Sequence, residues 1–144
     1  IMIKALQLFL KNVPDGDAVD WPDFERAVKT VTGKDYGWFF TQWNERAGLP
    51  EVKIASASCQ TSSAGGRVTA VITQQAPHYR MPLVVQIEGE GGKRLRKTVW
   101  LESTETKIDL RADFVPSHLR IDPDGNLLIR GAVGEGDPFV KALK

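Results

Sequence analysis

The sequence predicts an α+β chain, with a short segment of about three helices over 1–50, an antiparallel β-sandwich of about seven strands over 51–131, and a tail over 132–144. Three observations carry this. Apolar residues recur at helical spacing before position 50 and alternate at period two after it. Turn residues rich in glycine, aspartate and proline punctuate the second part at short intervals. No segment there is long enough to supply the crossover helices that a parallel sheet needs.

Residues 1–12 form the first predicted helix. Ile1, Met2, Ile3, Ala5, Leu6, Leu8, Phe9 and Leu10 cover well over half of its circumference, leaving Lys4, Gln7 and Lys11 on a narrow polar strip. A surface helix buries a stripe of about 100°, so this one is expected to be buried from two sides. No N-cap residue precedes its apolar pattern. The second helix is well marked. Asp20 is placed to cap it, Pro22 lies in its first turn, Asp23 and Glu25 are acidic near its positive end, and Gly33 follows its last turn. Trp21, Phe24, Val28 and Val31 are its expected buried face.

The stretch "YGWFFTQW" packs five aromatic residues into eight positions. With Asp35 as N-cap and Gly48 at the C′ position, Tyr36, Phe39, Phe40, Trp43 and Ala47 fall on one helical face and Trp38 on the other. Aromatic stripes at this spacing bury large areas without any ligand, so most of the cluster is expected in the core. Trp38 is expected to be either covered by the following domain or an exposed contact.

The strands are "EVKIASASC", "RVTAVITQQ", "MPLVVQIEG", "RLRKTVWLE", "TKIDLR", "HLRID" and "NLLIR". Val68, Ala70 and Ile72 oppose Thr69 and Thr73, and Leu83, Val85 and Ile87 oppose Gln86 and Glu88, so each sheet is expected to have one wet face. "GEGG" and "DPDGN" carry the residues that tight turns with positive φ require. Together these features suggest an Ig-like sandwich. The basic run "KRLRK", Lys93 to Lys97, is expected on a solvated edge strand, where cations discourage sheet-to-sheet pairing. The tail is glycine-rich and then weakly helical, and no firm structure follows from it.

Composition narrows function by exclusion. Of 144 residues 42% are apolar and 26% charged, a globular balance, and the formal net charge of +1 provides no field for nucleic acid or an anionic membrane surface. No segment approaches the roughly 20 apolar residues of a bilayer span, and "IMIKALQLFL" is a poor signal peptide because no small-residue cleavage site follows it. The single cysteine, Cys59, rules out an internal disulfide and leaves the compartment open. His78 and His118 sit in turn contexts without a histidine or acidic partner at i+4, so neither begins a zinc site or a nucleophilic pair. Asp15, Asp17 and Asp20 lack the spacing and terminal glutamate of a calcium loop, and capping accounts for Asp20.

The ordered motifs carry a resemblance. "DFERAVKTVTGKDYGWFFTQWNERAGLPEVKI", Asp23 to Ile54, resembles the segment that closes the catalytic domain of M1-family zinc aminopeptidases and enters the next strand. "VTAVITQQAPHYRMPLVVQIEG" and "IDPDGNLL" are similar, more loosely, to that family's following β-sandwich. The resemblance implies a zinc metallopeptidase parent. It also implies what this chain lacks: the H-E-x-x-H helix, the third glutamate ligand, the supporting tyrosine and the G-x-M-E-N-type strand do not occur in it. Hence no catalytic, cofactor-binding or metal-binding residue is expected here, with zinc expected only in the parent. The expected role is that of a non-catalytic, structural carboxy-terminal fragment whose partner is the missing amino-terminal catalytic portion. An independent Ig-like binding module is the alternative. In the isolated chain the first helix is expected either to form a symmetric homodimer or to be covered by Phe139, Val140 and Leu143 of the tail.

Overall fold

The computed structural model describes residues 1–12, 18–131, 137 and 139–143. The chain divides into two compact units, Ile1–Ala47 and Gly48–Lys144.

The first unit is helical. Helix α1 spans Met2–Asn12 and α2 spans Trp21–Thr32. The Asp20 side chain accepts from the Trp21 amide at 2.6 Å, the Asp20 amide donates to the Asp23 carboxylate at 3.0 Å, and the reciprocal pair makes a capping box. At the other end Gly33 takes the left-handed conformation, φ 66°, and its amide reaches the Lys29 carbonyl at 2.8 Å. A short helix α3, Gly37–Phe40, runs directly into a π-helical turn, Thr41–Glu45. Tyr36 is the N-cap residue, and Asp35 acts one position ahead of it, accepting from the Gly37 amide at 2.9 Å. Gly48 is left-handed but lies beyond the extended Arg46 that ends the turn, so it is not the C′ residue.

The π turn changes which aromatic faces are buried. Phe40 and Gln42 are buried, Trp38 and Trp43 are half-buried, and Phe39 is 44% exposed together with Ala47. A wider turn shifts each following side chain around the axis, so Trp43 and Ala47 leave the face drawn at α-helical pitch through Tyr36, Phe39 and Phe40, while Phe39 is exposed ahead of the turn. Trp21 likewise leaves the expected buried face of α2. It is 57% exposed, and Ala27 is the residue that α2 buries fully.

The second unit is a sandwich of two four-stranded sheets. Strands β1 (Glu51–Ser62), β2 (Gly65–Gln74), β3 (Met81–Gly89), β4 (Arg94–Leu101), β5 (Glu105–Ala112), β6 (Pro116–Ile121), β7 (Arg130–Gly131) and β8 (Val140–Ala142) assemble in the orders β5-β2-β1-β7 and β4-β3-β6-β8. Val52, Ile54, Val68, Ala70 and Ile72 line the inner face of the first sheet, and Leu83, Val85, Ile87, Leu119 and Ile121 that of the second, all buried. Alternation thus places the core as expected.

Three features differ from expectation. "NLLIR" contributes only Arg130 to a two-residue strand, which pairs parallel with β1 while Arg130 ion-pairs with Glu51. Upstream of it the Asp122 carboxylate accepts from the amides of Asn126 and Leu127 at 3.0 and 3.1 Å, and this local turn competes with strand formation. The tail supplies β8, antiparallel to β6, with the Phe139 carbonyl accepting from the Ile121 amide at 2.9 Å and the Leu143 amide donating to Ser117 at 2.8 Å. Those residues therefore complete a sheet. The third difference is Gln86, expected on a wet face but only 3% exposed. Arg96 donates to its carbonyl at 2.6 Å, its amide donates to Glu88 at 2.6 Å, and Arg120 donates to Glu88 at 3.3 Å, so three strands cover it.

Close approach fixes two glycines. A Cβ on Gly66 would overlap the Pro116 ring, and one on Gly89 would overlap the Phe114 ring, so both positions exclude every larger residue unless the backbone moves.

Candidate functional site

The sequence offers no catalytic constellation. Among the described residues no group of three His, Cys, Asp or Glu side chains could hold a metal ion. His118 is exposed, its Nδ1 3.2 Å from the Ser117 hydroxyl. Cys59 is a half-buried thiol whose pKa burial pushes up, the opposite of an activated nucleophile. Asp20 is engaged in its capping box, and Asp15 and Asp17 lie outside the described residues.

The shifted carboxylates have structural partners. Asp35 is held below the usual range by its hydrogen bond from Lys29, at 2.7 Å, and by the Gly37 amide. Burial acts to raise the pKa of Glu88, but hydrogen bonds from Gln86 and Arg120 and the charges of Arg120 and Arg94 outweigh it and hold it low. Asp109 is lowered by the paired guanidinium of Arg67, across β2 and β5. Each shift belongs to an ion pair or turn, not to a reaction centre.

What remains is an apolar groove on the helical unit, about 430 Å³, lined by Met2, Leu6 and Phe9 of α1, by Val19, and by Trp21 and Phe24 of α2. Its floor is aromatic. Phe24 meets Phe9 edge-to-face at 5.6 Å and Phe40 at 6.0 Å, so this one ring joins all three helices. Its walls are open, with Met2 60% and Leu6 44% exposed, and Ile1, Ile3 and Leu10 extend the apolar surface along α1. The helix expected to be buried from two sides buries only Ala5 fully.

Val19 and Trp21 were not legible as groove residues from helical periodicity. The signal was in the cap. Val19 precedes the N-cap and Phe24 stands four residues beyond it, the positions of a hydrophobic staple, and both line the groove. Among the described residues the one polar side chain lining the groove is Asp20, already engaged in the capping box, so the chemistry these residues offer is that of taking apolar side chains out of water.

A second depression, about 410 Å³, lies on the outer face of β1, β2 and β5. The Ser58 and Thr69 hydroxyls in it are 2.9 Å apart and Asp109 is taken by Arg67, which leaves the exposed Lys107 as its cation.

No protein-family model matches the chain, and no curated protein does. Among solved structures the fold is similar to Legionella pneumophila aminopeptidase A, determined in complex with aspartic acid, with a TM-score of 0.69 at 17% identity. The similarity covers 93% of this chain and 16% of the aminopeptidase, so the chain spans about a sixth of that protein's length. At this identity the likeness is one of fold.

Proposed function

We propose that the chain is the non-catalytic carboxy-terminal portion of an M1-like zinc aminopeptidase, in which the sandwich and its helical segment support a catalytic portion carried elsewhere in the parent. The observation that carries this reading is a fold match over nearly the whole chain to a small part of an aminopeptidase, in the same chain whose ordered motifs resemble that family. The groove supports it too. Its occupant is the remainder of the catalytic portion, since Met2, Leu6 and Trp21 together leave a larger apolar patch than a surface helix ordinarily gives to water. Zinc and the catalytic residues belong to that remainder.

Two experiments test this. The chain after dialysis is expected to hold no stoichiometric zinc and to cleave no aminoacyl reporter, whereas the open reading frame upstream of Ile1 is expected to encode an H-E-x-x-H helix. Zinc at one equivalent with chelator-sensitive hydrolysis would sink the proposal. Deprived of the catalytic portion, the chain is expected to cover the groove with a second copy, because an isologous contact buries the same patch on both. Sedimentation velocity should then show a concentration-dependent dimer that Leu6→Glu with Met2→Lys dissolves. A monomer with unprotected α1 amides in hydrogen exchange would remove the burial argument.

A further inference from the structure

Two of the four sheet edges are long, and they differ in charge. β5 alternates Glu105, Lys107, Asp109 and Arg111, both signs together. β4, eight residues from Arg94 to Leu101, has a single sign: with Lys93 before it, four of its first five positions from 93 to 97 are cationic. Its ladder to β3 runs from Met81↔Leu101 to Glu88↔Arg94 without a register shift, so no bulge or proline breaks the outer edge. Lys93, Arg94, Arg96, Lys97 and Thr98 are all exposed. Among the described residues the side chains of Lys93, Arg94 and Lys97 hold no hydrogen bond or ion pair, while Arg96 is committed to Asp124 and Gln86.

The two faces of this edge also differ. Arg94, Arg96, Thr98 and Trp100 share the outer face with Gln86 and Glu88, whereas Leu95, Lys97, Val99 and Leu101 lie on the core side, with Leu95 and Val99 only half-buried and Lys97 exposed between them. A strand added here would therefore meet Arg94 on the outer side and, on the core side, Lys97 set between the apolar Leu95 and Val99.

We propose that the free edge of β4 is a docking site for an extended, acidic segment of a partner protein, added antiparallel or parallel as a further strand of the β4-β3-β6-β8 sheet. Main-chain hydrogen bonds supply the pairing and alternate side chains the selectivity. The partner carries acidic residues on both faces, against Arg94 on the outer side and against Lys97 on the core side, with apolar residues only beside Leu95 and Val99. The same charges argue against a second copy at this edge, since two β4 edges would set cation against cation. The proposal does not depend on the chain's place in a peptidase.

The test uses the whole chain and a fluorescein-labelled peptide as long as β4, glutamate on both faces except for two valines on one of them. Anisotropy should report saturable binding that weakens severalfold as salt rises, that Lys93→Glu with Lys97→Glu abolishes, and that a lysine–valine peptide does not reproduce. Two N-methylated versions, each blocking the amides along one side of the peptide, separate strand pairing from charge attraction. One should lose binding and the other keep it, and hydrogen exchange should slow at amides within 94–99. Equal binding by both methylated peptides, protection on β5 in place of β4, or no binding at millimolar peptide would overturn the proposal.

Discussion

The sandwich and the helical unit solve the problem of apolar surface differently. Among the described residues, every large side chain that is fully buried belongs to the sandwich, Ile72, Met81, Leu83 and Leu119 among them. Among the described residues of the helical unit only Ala5, Ala27, Phe40 and Gln42 are buried, while Ile1, Met2, Ile3, Leu6, Leu10, Trp21 and Phe39 stand exposed. Two sheets close over each other's inner faces and leave their outer faces polar. Three short helices, one of them a single turn continued as a π turn, have too little mutual surface to cover an almost wholly apolar α1. A self-sufficient core and an incomplete one thus occur in the same chain, and the incomplete one is where a partner is to be sought.

The comparison is broken most severely by cavities. Leu83→Ala, in the centre of the sandwich, is expected to cost about 4 kcal/mol, and Phe40→Ala, in the helical unit, about 3 kcal/mol. Phe39→Ala, on the exposed side of the same turn, is expected to cost under about 1 kcal/mol. Denaturant melts of the three variants give the ranking. If Phe39 proved costlier than Phe40, the burial of Phe40 in place of Phe39 would be wrong.

A smaller effect sharpens the helical side. Asp20→Ala removes the capping box and is expected to cost about 1 kcal/mol, with Asp20→Asn recovering most of it, since the amide oxygen still accepts from the backbone. Hydrogen exchange in the first turn of α2 should report the loss locally, as helix ends fray before the unit unfolds.

The smallest expected effect lies on the sandwich and depends on pH. Glu88 has its folded pKa below its ordinary value of 4.5. Its contribution to stability is therefore present above that value and lost as pH falls through the lower folded pKa. Glu88→Gln should lower stability modestly at neutral pH and flatten the acid limb below about pH 4.5, so that variant and parent converge once Glu88 is protonated. An unchanged acid limb would mean that the contacts from Gln86 and Arg120 do not hold the charged form.

Much of the architecture was legible because its causes are local. The alternation of Val68, Ala70 and Ile72 with Thr69 and Thr73 states which face is buried, since a strand's side chains point to opposite sides whatever lies beyond. Asp20, Pro22 and Gly33 bound α2 through contacts within a few residues, and Gly91, Gly92 and Gly125 take the positive φ their turns require. The cationic character of β4 could be read as well, and so could its expected edge position, which the sheet order bears out.

What escaped the sequence depends on neighbours far along the chain. Alternation alone puts Gln86 in water, and only the register that lays Arg96 and Arg120 beside it from two other strands buries it. The tail's Val140–Ala142 is too short to declare itself a strand, and the free edge of β6 recruits it. Leu127 and Leu128 look like strand, but Asp122's carboxylate captures the local amides, and Arg130 then meets β1 in parallel. The groove was half visible: the apolar surface of α1 is a property of its residues, but its pairing with Val19 and Trp21 required the helices to be placed together. By itself the sequence determined the period of each element, its caps and turns and the sign of its charges, because those forces act over a few residues. Tertiary structure decided which polar group is covered, which strand ends a sheet and which apolar face is left open, because burial is settled only by what comes to lie against a surface.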